Sequence, residues 1–131
     1  MAEPHYEQWR YTMSLTRVAR RLSFYRQQPM LAAETHAPAP GSEFTPEGAR
    51  YKYDLETYFE GDPANSDGMV VNLAELDQRL RPWLEPVGEE TPAGFLHRLA
   101  EKIIKTRPFP SARLVKLRLY LGDDHWLDVW P

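Results

Sequence analysis

Across its 131 residues the chain has no cysteine, which excludes a disulfide framework, a thiolate metal site and a thiol nucleophile together. It also lacks an excess of charge of one sign. Sixteen Lys and Arg stand against 19 Asp and Glu, a formal net charge of -3, and the basic residues form no dense block, so nucleic acid is not an expected partner. No apolar run reaches the roughly 20 residues that a spanning helix needs. The first residues are polar, with Glu3, His5, Glu7 and Arg10, so no membrane partner is expected and the cytoplasm is the expected compartment. What the chain does have is aromatic content of 12 %, including four Trp, enough to support a packed core over a disordered chain. Its length suits one domain over residues 1–131.

Alternating hydrophobicity marks the strands. Tyr6 to Thr16 carries Trp9, Tyr11, Met13 and Leu15 on one face and reads as a first strand, followed by a basic, partly apolar segment from Arg17 to Arg26. A long irregular loop is expected at about 27–48, where prolines and small residues gather between Thr35 and Pro46. From Tyr51 to Glu60 the period-two pattern is clear, with Tyr51, Tyr53, Leu55, Thr57 and Phe59 on one face and Lys52, Asp54, Glu56, Tyr58 and Glu60 on the other. This strand is the expected partner of the first. The run Gly61-Asp62-Pro63-Ala64-Asn65-Ser66-Asp67-Gly68 ends it in a turn.

Two helices follow. Asn72 is placed to cap the first, expected from Asn72 to about Leu84, with Glu75 three residues on reaching back to the Asn72 amide, and Leu73, Leu76, Leu80 and Trp83 or Leu84 form its apolar stripe. Pro82 kinks that helix or ends it at Arg81. Thr91-Pro92 begins the second helix, whose buried face is Phe95, Leu96, Leu99, Ala100 and Ile103 and which breaks at Arg107-Pro108-Phe109-Pro110. Leu117, Leu119 and Leu121 then alternate with polar residues, and after Gly122-Asp123-Asp124 a last strand runs from Trp126 to Trp130. The implied class is α+β: a four-stranded antiparallel sheet with two helices on one face, in the order β-β-α-α-β-β.

That order and several of its words resemble the 6-pyruvoyltetrahydropterin synthase and 6-carboxytetrahydropterin synthase family, which has the tunnelling fold. The resemblance rests on Tyr53-x-Leu55-Glu56-x-x-x-Glu60-Gly61, on Asp67-Gly68-Met69-Val70-Val71-Asn72-Leu73-x-x-Leu76, on Thr91-Pro92-Ala93-x-x-Leu96 and on Leu117-Arg118-Leu119-Tyr120. The family holds zinc through three histidines. Here the matching positions carry Arg20, Ala49 and Tyr51, none of which replaces an imidazole as a zinc ligand in the family manner. The family's catalytic cysteine falls near Thr45, its Asp-His pair lies in a loop shortened here to Glu85-Pro86-Val87-Gly88, and its pterin-anchoring glutamate matches Leu121. The resemblance therefore implies the scaffold without the zinc site, and no metal or cofactor is expected.

Two readings remain open on these grounds, of which the first is preferred and the second is the alternative. One is a zinc-independent lyase, cyclase or isomerase, using proton-transfer chemistry on a small molecule in a biosynthetic pathway. Its expected catalytic residues are Tyr51, Arg20 and Glu47, a phenol, a fixed cation and a loop carboxylate. Arg20, Thr45, Lys52 and His36 are its candidate substrate-binding residues, although Lys52 should face the opposite side of the strand from Tyr51. In the bland alternative Arg20 pairs with Glu47 and fills the vacant site. The second reading is a non-catalytic binding or assembly module that keeps the fold and its oligomer surface, with Tyr58, Tyr120 and the Trp126 to Trp130 strand as contacts. Both readings expect a homo-oligomer.

Overall fold

The computed structural model describes residues 15–31, 43–46, 48–62, 70–85 and 88–131. Four strands form an antiparallel sheet in the order β1 (Thr16–Arg26), β3 (Gly48–Gly61), β4 (Ala112–Tyr120) and the short β5 (Trp126–Val129). A short strand β2 (Glu43–Thr45) folds back on the start of β3, pairing Thr45 with Gly48 and Glu43 with Arg50. The connection expected to be irregular therefore ends in a tight hairpin, and Gly48 at φ 139° supplies a backbone geometry that a side chain would resist.

Among the described residues the first strand is the segment after the one expected to form it. Thr16 begins it and the arginine-rich segment forms it, pairing in unbroken register from Thr16↔Gly61 to Arg26↔Tyr51. The strand expected at Tyr6 to Thr16 lies, apart from its last two residues, outside the described residues. Alternation is present in β1 but is masked by charge, because Val18, Arg20, Leu22, Phe24 and Arg26 share the inner face with arginines at two of the five positions.

Helix α1 (Leu73–Leu80) passes into a 3₁₀ turn at Arg81–Leu84, where Pro82 cannot donate to the α-helical ladder. Asn72 Oδ1 caps α1, accepting from the amides of Ala74 and Glu75 at 3.1 and 3.2 Å. The reciprocal bond expected from Glu75 is replaced, since its carboxylate accepts from Arg79 Nε at 2.9 Å one turn on. Helix α2 (Pro92–Thr106) is capped by the Thr91 hydroxyl and buries Phe95, Leu96, Leu99, Ala100 and Ile103 as its spacing predicts.

Both helices pack on the same face of the sheet. Leu76 and Leu80 from α1 and the α2 stripe join Leu22, Phe24, Leu55, Phe59, Leu117 and Leu119 in one core. Phe24 stacks on Phe95 with ring centroids 5.4 Å apart. Burying each such side chain is worth about 1.5–3 kcal/mol over leaving it exposed, so the helices stay on the sheet. The expected α+β class, with two helices on a four-stranded antiparallel sheet, is what the described residues form. Among them no helix is long and apolar enough to cross a membrane.

Candidate functional site

Strand register decides which of the expected site residues meet. Arg20 lies opposite Thr57 and Tyr51 lies opposite Arg26, so Arg20 and Tyr51 are separated by six positions along β3, about 20 Å at ~3.3 Å per residue. They share a face but belong to opposite ends of it. Arg20 is engaged by a helix: its Nε and Nη2 donate to Asp77 Oδ1 and Oδ2 at 3.2 and 2.8 Å. This paired geometry raises the guanidinium above its ordinary value through hydrogen bonding and charge. Asp77 on α1 takes the place that Glu47 was expected to fill.

The cation beside Tyr51 is Arg26. It is 5 % exposed, and its Nη1 donates to Glu90 Oε1 at 3.0 Å. Arg98 from α2 holds the same carboxylate, through Nε to Oε2 and Nη2 to Oε1, both at 3.0 Å, and donates to the carbonyls of Trp83 and Glu85. Burial opposes the ionisation of Glu90, but the hydrogen bonds from Arg98 and Arg26 prevail and hold its carboxyl below the ordinary range. The cluster joins β1, the segment before α2, and α2 itself. Arg26 Nε, buried, has no hydrogen-bond partner among the described residues. Next to it, the Tyr53 hydroxyl accepts from the Met30 amide at 2.9 Å and the Leu31 amide donates to the Glu90 carbonyl at 3.0 Å.

Thr45 sits in the β2–β3 hairpin, at the Tyr51 end of the sheet and away from Arg20. Lys52 lies across from Tyr25 on the face opposite Tyr51, as the alternation predicts. Glu47 and His36 lie outside the described residues. Neither Arg20 nor Tyr51 lines any of three clefts formed by the described residues. His125 lies beside Asp124, with Nδ1 and Oδ1 3.2 Å apart.

The face of the sheet away from the helices carries the densest set of polar and aromatic groups. Glu56 Oε1 accepts from the Tyr58 hydroxyl and, at 3.1 Å, from the Tyr120 hydroxyl. Burial, together with this bond to a carboxylate, pushes the Tyr58 hydroxyl up to about 12. Arg118 holds Asp128 through two bonds, 2.8 and 3.0 Å, while its guanidinium lies 4.6 Å from the Trp126 ring centroid. Lys116 stands 4.2 Å from the Tyr58 ring and 4.8 Å from that of Trp130, and Arg21 stands 4.1 Å from Tyr120. Asp54 anchors Arg21 at 2.9 Å. Sequence reading singled out Tyr58, Tyr120, Trp126 and Trp130 on this face but missed Glu56, Arg118 and Asp128. Their signal was the shared outward parity of neighbouring strands, which becomes a contact only once register is known.

Comparison with protein-family models finds none that matches the chain, and comparison with curated proteins finds no match.

Proposed function

We infer that the chain is a non-catalytic binding and assembly module with a tunnelling-type fold, whose copies associate through the sheet. The observation that carries this reading is the outer sheet face. No described helix packs on it, yet its side chains form a linked array of ion pairs and cation–ring contacts that ends in Trp126 and Trp130, 44 % and 62 % exposed. The strand order favours it as well. Among the described residues β1 and β5 each have a strand neighbour on one side only, which leaves backbone groups along the sheet's two edges for further pairing. Joining the β5 edge of one copy to the β1 edge of the next is a head-to-tail contact, the kind that builds a ring when the rotation between copies closes.

A zinc-independent enzyme built on Arg20, Tyr51 and Glu47 is the weaker reading. It asks for a phenol and a cation on one small ligand, whereas Arg20 is committed to Asp77 and lies at the far end of the strand from Tyr51.

Light scattering tests the assembly reading. A mass several times the 15.3 kDa of one chain is expected, and Trp126→Asp combined with Trp130→Asp should lower it while leaving the far-UV circular dichroism unchanged. A single-chain mass at every concentration would overturn the reading.

A further inference from the structure

A cleft of about 580 Å³ opens at the end of the sheet opposite Tyr51, between the last residues of β3, the C-terminal turn of α2 and the segment leading into β4. That volume suits a small molecule. Its lining includes Phe59 and Phe109, packed edge to face with centroids 5.3 Å apart, beside Ile103 and Leu114. Leu15 and Ile104 extend the apolar lining outward, 51 % and 52 % exposed.

Arg107 stands among these groups as the C-cap of α2. Its backbone, at φ 46° and ψ 58°, is left-handed, and among the described residues it is the only non-glycine with positive φ. A left-handed residue is a common end for a helix, usually glycine, and here arginine takes it, with its amide on the Ile103 carbonyl and its side chain exposed at the cleft. A cation near a helix C-terminus also favours the helix dipole, but Lys105 in the last turn supplies that charge from unstrained backbone. Among the described residues the Arg107 guanidinium has no hydrogen-bond or ion-pair partner.

The remaining charges at the cleft narrow the ligand. Glu60 is shared by Arg113 and Arg17 at 3.1 and 3.2 Å, and those bonds hold its carboxyl below the ordinary range, so it stays ionised. Asp62 lines the same cleft. Arg17 and Arg113 offset the charge of Glu60, so the Arg107 guanidinium is left to match one negative charge on a ligand. We propose that this cleft binds a small molecule with an apolar body and one carboxylate, with the body against the exposed Leu15 and Ile104 and the carboxylate on Arg107. The site is independent of the outer sheet face.

Octanoate and octan-1-ol, which share an apolar chain and differ in charge, are suitable probes for calorimetric titration. The wild type is expected to bind octanoate at least about tenfold more tightly than the alcohol, the effect of one charge-assisted contact. Arg107→Gly removes the guanidinium and the backbone strain together, so it should keep or raise the thermal midpoint while losing that preference. Ile104→Asp, at an exposed position, should weaken octanoate binding through like charge. Absence of octanoate binding, equal affinity for the alcohol, or an unchanged affinity in a folded Arg107→Gly protein would each overturn the proposal.

Discussion

Glu90 is the residue on which most of the buried charge converges. Its side chain is 10 % exposed and that of Arg26 is 3 %, so removing the carboxylate leaves guanidinium charge with no counterion in a poorly solvated place. Glu90→Gln is expected to cost about 3 kcal/mol, read from the denaturant midpoint. The pH dependence follows from the lowered carboxyl. Stability from this group is present in full above its ordinary value of 4.5 and is lost as pH falls through the lower folded-state value, so wild type and Glu90→Gln should converge in acid. Tyr58 works in the other direction. Its folded value is raised above the ordinary 10.0, so its contribution is whole below that and disappears as pH rises through about 12. Spectrophotometric titration of Tyr58→Phe should lack a tyrosine step at about pH 12 that the wild type shows. Of these groups, Arg26 was visible in the sequence only as one of several arginines in a basic segment, because nothing in chain order says that Glu90 and Arg98 close around it.

Periodicity and punctuation made β3, β4 and both helices legible as elements. The alternation from Tyr51 to Phe59 is uninterrupted, and Thr91-Pro92 and Pro82 mark boundaries through backbone chemistry alone. Two local readings failed for physical reasons. Strand β1 was not recognised because inward arginines interrupt the apolar pattern, each satisfied by a carboxylate from a distant helix or loop. At α1 the Glu75 carboxylate can go to the Asn72 amide or to Arg79, and the second partner prevails. Asn72→Ala should therefore cost about 1 kcal/mol, whereas Glu75→Ala should cost only a few tenths, both measured by chemical denaturation. At the end of β3 a close approach sets the constraint. A Cβ on Gly61 would stand 2.5 Å from the Ser111 carbonyl oxygen, so Gly61→Ala should lose about 1–3 kcal/mol as the segment before β4 is pushed away.

At the scale of the whole molecule, one sheet face is buried under helices and the other displays aromatic rings held by cations. If copies associate through that face, Trp126 and Trp130 become shielded from water, and tryptophan emission should shift to the blue as concentration rises. A spectrum independent of concentration, or a shift that survives Trp126→Phe with Trp130→Phe, would count against that surface. Composition, periodicity and capping residues by themselves determined the α+β class, the positions of α1 and α2, and which side of β3 faces inward, because each follows from interactions within a few residues of the chain. Tertiary structure alone decided the rest. Register set Arg20 against Asp77 and Arg26 beside Tyr51, and packing brought Arg107 to a cleft lined by Phe59 and Phe109. Those outcomes depend on contacts between residues tens of positions apart, and a one-residue slip in strand pairing would have sent every one of the side chains on that strand to the other face.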